Sequence, residues 1–307
     1  MKYQKSRLVG VKFALLKHGD VIIQDDLQYR EDCIVRVFCC KWEAAGMYPC
    51  GLVWRAGCLN GVSFCVTLAT YLNTDDFVMP PYIDFHTHRR ICTDNTIEVI
   101  SSHPPRWKPA QVYTIGYHPW WTEEPLSPMA LAELSHHYRE VDTCLGLGEL
   151  GFDQLKGPAL SVQDAIFHQQ INLANDLQAP VVIHCVRAFD RLLQARRQVG
   201  QTDWVVHGFV RNRILAKQLL DQGLFLSLAP YHRMHQSFAD MLRFVPLDRI
   251  FLETDSDYRL GISERYHIFA SLRNMDMLAL RAQLYLNFTH FYSTKWQHLT
   301  GSNAPNY

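Results

Sequence analysis

The sequence predicts an α/β protein: a (β/α)8 barrel of the TIM type preceded by an irregular N-terminal extension. Three observations predict it. From residue 82 onward, eight short apolar runs recur, and most are followed by a stretch with helical spacing, the alternation a parallel α/β fold requires. The runs lack polar alternation, which fits strands covered on both faces. Six residues of metal-ligating type, spread over about 170 positions, each stand at the polar end of such a run. In a barrel of this kind all strand C-termini meet on one face.

Residues 1–78 show neither a sustained helical pattern nor an alternating one. They hold six of the nine cysteines (Cys33, Cys39, Cys40, Cys50, Cys58 and Cys65). This part reads as an irregular cysteine-rich extension, either a mis-called region upstream of a start at Met79 or a small accessory domain. Met79-Pro80-Pro81 then introduces the first barrel run, and residues 79–307 have a length normal for one barrel, roughly 200 residues or more. Strands are expected at 82–86, 96–100, 112–116, 144–148, 181–184, 204–207, 224–228 and 250–254. The first connection is too short for a full helix. A helix at 161–178 places Ile166, Gln170, Leu173 and Leu177 on one face, with Ser161 as N-cap. A second, at 188–199, carries Leu192, Leu193 and Val199. A third, at 212–222, stops at Gly223. A long closing helix at 276–292 carries Leu278, Leu284, Leu286 and Phe291.

Composition narrows the function classes. Thirty basic and thirty acidic residues cancel, which argues against a broad surface that coats nucleic acid, because phosphate neutralisation drives such binding. A local basic groove remains compatible. Lys12 interrupts the apolar stretch near the N-terminus and no small-residue cleavage site follows, so no secretory signal is read. Residues 61–72 are apolar but too few to span a bilayer. The chain reads as cytoplasmic. Without a Cys-x-x-Cys pair, a structural zinc site is not expected, and Cys144 and Cys185 read as small apolar residues of barrel strands.

The six candidates are His86 and His88, then Glu149, His184, His207 and Asp255. His86 and His88 are two apart on a strand, so both rings face one side. Asp255, on the last strand, can close a site with them. His184 and His207, on neighbouring strands, can hold a second ion, and Glu149 has two oxygens with which to bridge both. Imidazole and carboxylate suit first-row divalent metals. Two ions about 3.5 to 4 Å apart can hold a hydroxide and flank a phosphodiester. Each residue alone has a plainer reading: a satisfied core histidine, a solvated acid or a helix cap. Their shared placement at strand ends favours the metal reading. Arg187, Arg211, Arg213, His232 and Arg233 follow strands and are candidate phosphate contacts or ordinary loop residues.

Six segments carry a family resemblance: Asp84-Phe85-His86-Thr87-His88, Gly116-Tyr117-His118-Pro119, Gly148-Glu149-Leu150-Gly151-Phe152-Asp153, Val182-Ile183-His184-Cys185, Val206-His207-Gly208-Phe209 and Leu252-Glu253-Thr254-Asp255-Ser256. Together they resemble the TatD-type metal-dependent hydrolases, described as deoxyribonucleases, of the amidohydrolase-like barrel superfamily. Asn287 looks like the asparagine of that family's closing helix. The resemblance implies one divalent ion held by His86, His88, Glu149 and Asp255 and another held by Glu149, His184 and His207. It further implies Asp255 as acceptor of the proton of the attacking water, Asp84 as outer support orienting a histidine, and His118 and Arg187 near the substrate. The metal would be Mg²⁺, Mn²⁺ or Zn²⁺. The activity implied is a 3′-5′ exodeoxyribonuclease-type phosphodiesterase acting on single-stranded DNA ends. The same metal pair could serve a hydrolase of small amides, lactones or phosphoesters, or a non-catalytic metal-binding relative. Where the family often has a second histidine after Gly-x-His-Pro, this chain has Trp120 and Trp121, which either stack on a base or pack over the barrel mouth.

Overall fold

The computed structural model describes residues 79–91, 94–104 and 112–300, together with the backbone of five short strands between residues 5 and 65. The chain divides into two compact units, Met1–Val78 and Met79–Tyr307. In the first, Lys5–Leu8, Val11–Leu15 and Val21–Asp25 pair as an antiparallel sheet, and Ala56–Leu59 pairs antiparallel with Val62–Cys65. The remainder of the expected extension, with Cys33, Cys39, Cys40 and Cys50, lies outside the described residues. Cys92 does so too.

The second unit is a barrel of eight parallel strands. They are β1 (Tyr82–Thr87), β2 (Thr96–Ser102), β3 (Val112–Ile115), β4 (Cys144–Asp153), β5 (Val181–Val186), β6 (Trp204–Val206), β7 (Phe225–Leu228) and β8 (Ile250–Leu252). Each pairs with the next in sequence order. Closure comes at the C-terminal ends of β1 and β8, where Thr87 bridges Asp255 and the Asp255 amide donates to His86 O at 2.9 Å. The eight expected strands are present with small boundary shifts. β4 alone runs well beyond its expected end, and this places Glu149 and Asp153 on a strand.

Helices α1 (Pro128–Glu140), α2 (Leu160–Leu177), α3 (Phe189–Val199), α4 (Arg213–Asp221), α5 (Gln236–Phe244), α6 (Ile262–Arg273), α7 (Met277–Phe291) and α8 (Ser293–Thr300) complete the unit. Among the described residues, none lies between β1 and β2. Ser161 does not cap α2. The helix already begins at Leu160, and Ala159 takes the cap position without a side-chain bond. Gly223 does end its helix, with φ +75°. On α7, Leu284 and Phe291 are buried but Leu286 is half exposed, so the apolar stripe is narrower than the sequence implied. No described helix is long and apolar enough to cross a membrane.

The barrel interior shows how the strands position the site. Phe85, Val99, Val112, Leu145, Val182, Val205, Phe225 and Phe251, one from each strand, share one buried cluster with Tyr285, Phe288, Phe291 and Tyr292 at the end of α7. Phe85 and Phe251 stack with ring centroids 3.8 Å apart. Side chains alternate along a strand with period two. Two positions beyond Val99, Val112, Val182, Val205, Phe225 and Phe251 the interior residue is therefore polar: Ser101, Thr114, His184, His207, Ser227 and Glu253. The barrel is apolar at its N-terminal end and polar at its C-terminal mouth. Cys144 and Cys185 are buried free thiols, used as small apolar residues.

Candidate metal centre

Glu149 is the middle of the site. It is almost wholly buried and ends at the mouth face of β4. Its Oε1 lies 3.0 Å from His118 Nε2, 2.7 Å from His184 Nδ1 and 2.7 Å from His207 Nε2. Its Oε2 lies 3.3 Å from His86 Nε2 and 3.5 Å from His88 Nε2, and accepts from Ser101 Oγ at 3.4 Å. Asp255 Oδ1 lies 3.2 Å from His88 Nε2 and 3.9 Å from His86 Nε2. All six sequence candidates thus reach one spot. The approach of β4 to β5 there requires glycine at 151. Its φ is +149°, and a Cβ would fall 1.9 Å from the His184 carbonyl oxygen.

Electrostatics follow from this crowding. Burial alone would raise the Glu149 carboxyl. The charge on His207 and hydrogen bonds from His118, His184 and His207 outweigh it and hold the acid well below its ordinary value. His207 shows the converse. Burial disfavours its charged form, yet the carboxylates of Glu149 and Glu253 hold it well above its ordinary value. His86, fully buried with His207 nearby, is pushed down. Burial also opposes the charge on Asp255, but the bond from His88 and the neighbouring imidazoles hold its carboxyl low.

The donor set fits divalent cations. His86 Nε2 is buried with Glu149 Oε2 3.3 Å away, yet the two do not align as a hydrogen bond, which leaves the ring nitrogen poorly satisfied without a further partner. Three groups, His86/His207/Asp255, His86/His88/Glu149 and His118/Glu149/His184, each offer ligand atoms within 4.8 Å of one another. One imidazole has the outer carboxylate partner of a ligand site within hydrogen-bond distance, and a second has a carboxylate nearby but beyond it. His184 Nε2 lies 3.2 Å from Asp153 Oδ2, and His207 Nδ1 lies 3.7 Å from Glu253 Oε1.

The other expected contacts divide. His118 is buried against Glu149 and also lines the cleft beside Trp121. Asp84 does not turn toward an imidazole. Its two oxygens accept from the Thr254 amide at 2.8 Å and the Thr254 hydroxyl at 2.7 Å, tying β1 to the residue before Asp255. Burial pushes the Asp84 carboxyl up to about 7 against those bonds. Arg187 is exposed just past β5, with φ +54°. His232 lies on the surface and pairs with Glu264 at 2.9 Å, so its ring is directed to α6. Arg213 lies over the Phe244 ring. Asp153 and Glu253 were not picked out from the sequence as site residues. Their signal was spacing: Asp153 stands four positions after Glu149 on β4, and Glu253 stands two before Asp255, just past β8.

The chain matches the family model described as TatD related DNase over residues 93–293, about two thirds of its length. It belongs to that family. The matched stretch begins after His86 and His88, so closure of the barrel, not the match, brings these two into the site. Among curated proteins, this TatD-family chain is 31% identical over 159 residues to the uncharacterized metal-dependent hydrolase YcfH of Escherichia coli K12. That alignment covers 50% of this chain and 58% of YcfH. It is 31% identical over 153 residues to the 3′-5′ ssDNA/RNA exonuclease TatD of Klebsiella pneumoniae, covering 48% of this chain and 57% of that one. The chain therefore spans little more than half the length of the curated relatives it matches. Among solved structures, a TatD family hydrolase from Entamoeba histolytica superposes with a TM-score of 0.51 at 18% identity, covering 59% of this chain and 74% of that one. A TatD homologue from E. coli K12 superposes with a TM-score of 0.51 at 22% identity, covering 59% and 76%. These two share the fold.

Proposed function

We propose that the chain is a divalent-metal-dependent phosphodiesterase that trims single-stranded DNA from the 3′ end. The observation that carries this reading is Glu149, one buried carboxylate with imidazoles on both oxygens at the mouth of a barrel. His86, His88, Glu149 and Asp255 would hold one ion and Glu149, His184 and His207 another, with Mg²⁺, Mn²⁺ or Zn²⁺ as candidates. Bound there, divalent ions acidify water and neutralise charge on a phosphodiester.

The protein groups divide the remaining work. Glu149 stays ionised because His118, His184 and His207 donate to it. Asp255 keeps about a third of its side chain exposed while His88 holds one oxygen. It is the acid placed to take a proton from water arriving at the mouth. Asp153 fixes the ring of His184, and Glu253 stands beside that of His207. Arg187, exposed past β5, would meet a phosphate oxygen. Single-strand preference and 3′-5′ polarity are supported by the Klebsiella relative, a 3′-5′ ssDNA/RNA exonuclease, and a chain with no net charge is poorly suited to wrapping a duplex.

The test is incubation of metal-loaded protein with single-stranded DNA labelled at either end. We expect stepwise shortening from the 3′ end, reduced at least about a hundredfold in Asp255→Asn, the scale of a lost general base. Turnover of small esters or amides with DNA left intact would replace the reading with a small-molecule hydrolase. Bound metal without any turnover would leave a metal-binding relative.

A further inference from the structure

The two tryptophans after Gly-x-His-Pro do different jobs. The Trp120 indole N–H donates to Asp153 Oδ2 at 2.6 Å, and Lys156 Nζ lies 4.0 Å from the centre of its ring. Trp120 is therefore committed to the acid that holds His184. Trp121 has no such tie and leaves 47% of its surface exposed. It walls a cleft of about 630 Å³, together with His103, Tyr117, His118, Glu123 and Glu124. The His103 ring stacks on Trp121 with centroids 4.0 Å apart, and the His118 ring lies 4.5 Å away on a tilt. His118 in turn reaches Glu149. An aromatic wall thus runs without a break from an open cleft to the candidate metal centre.

We infer that this cleft is a subsite for a single nucleobase, that of the terminal nucleotide, laid against the exposed part of Trp121 with its phosphate toward the cations that Glu149 would hold. The inference rests on the phosphodiesterase reading and adds to it which part of the substrate the cleft takes. The volume lies within the roughly 300–1,000 Å³ of small-ligand sites. A flat aromatic surface accepts any base, since every base has a π-face. Glu123 and Glu124 on the same cleft repel a phosphate, so the neutral base enters there and the backbone does not. An exposed tryptophan beside a site of anion chemistry then has a partner of matching shape.

Binding of dAMP and of deoxyribose 5-phosphate, the same ligand without its base, to the full Mn²⁺-loaded chain by calorimetry tests this. Wild type should bind dAMP more tightly. Trp121→Ala should lose about tenfold for dAMP, the scale of one lost stacked base, and nothing for the sugar phosphate. Trp121→Phe should keep most of the dAMP affinity, which separates stacking from loss of fold. Equal affinity of wild type for the two ligands, or an equal loss for both in Trp121→Ala, overturns the subsite. The DNA cleavage assay reads the parent proposal separately. Base-dependent binding without cleavage keeps the subsite and removes the phosphodiesterase, and cleavage with no dependence of dAMP binding on Trp121 does the reverse.

Discussion

At the scale of single residues the site is a contest between burial and charge, and Glu149 decides it. A buried carboxylate would ordinarily pick up a proton, but the histidines around it keep it ionised. Glu149→Gln keeps the shape and removes the charge. We expect it to lose detectable binding of a second metal equivalent, measured by metal analysis after dialysis, with the far-ultraviolet spectrum unchanged; full metal content in that variant would remove Glu149 as the bridge. His207 gives a pH prediction. Burial opposes its charge, but its carboxylate neighbours hold its pKa well above the ordinary value, which favours the protonated ring in the metal-free protein. A metal needs the bare nitrogen. Metal binding near pH 7 should therefore release protons, and affinity should rise as pH rises. Calorimetry in buffers of differing ionisation enthalpy measures the release, and a zero proton count would contradict the assignment of His207 as a ligand. The six candidates were legible in the sequence because each ends an apolar run. Asp84 was harder: the family resemblance implied support for a histidine, whereas both of its oxygens go to Thr254, a partner that no spacing in the sequence marks.

At the scale of elements, strands buried on both faces were the most legible, since runs such as Val181-Val182-Ile183 have no polar side to misassign. Boundaries failed where side chains competed. β4 runs on through Glu149 to Asp153 because its polar residues are satisfied inside the barrel rather than by solvent. Ser161 has a cap's chemistry but sits one residue inside the helix. Asn287 shows how α7 secures the barrel. Its amide donates to Leu247 O at 2.7 Å and Ile250 O at 2.9 Å, where β8 begins. Asn287→Ala leaves the buried Ile250 carbonyl and the part-buried Leu247 carbonyl without this donor and should destabilise the protein by about 1–3 kcal/mol, the cost of one buried group left unsatisfied, with a smaller addition from the second. Urea unfolding at unchanged slope is the measurement, and a loss below about 0.5 kcal/mol would show that this tie matters little. Trp120 acts between elements. Trp120→Phe frees Asp153 from its 2.6 Å bond while keeping an aromatic ring. Support of this kind is worth about 10–100-fold in metal affinity, so metal titration should show a drop of about tenfold, and an unchanged affinity would mean that Asp153 is held well enough by the Leu155 and Lys156 amides.

At the scale of the whole barrel unit, two halves of one interior divide stability from chemistry. The apolar cluster of Phe85, Phe225 and Phe251 with Phe288 and Phe291 stabilises the N-terminal half and contains no metal-ligating residue. Each buried phenylalanine contributes roughly 1.5–3 kcal/mol. The polar mouth holds like-charged acids and unpartnered ring nitrogens together and gains little until cations arrive. Two expectations follow from that division. The metal-free protein should remain folded, because its core lies beneath the site. Metal should then stabilise by mass action, about 2.7 kcal/mol at a free concentration one hundred times Kd. At about 2–4 °C per kcal/mol for a domain of this size, the melting temperature should rise by about 5–10 °C. A chelator should reverse the rise, and Glu149→Gln should lack most of it. Scanning calorimetry of the chelated and Mn²⁺-loaded protein decides the matter. Unfolding on chelation would show that the mouth, and not the phenylalanine cluster, holds the barrel closed, while identical melting curves would mean that these imidazoles and acids satisfy one another without a cation.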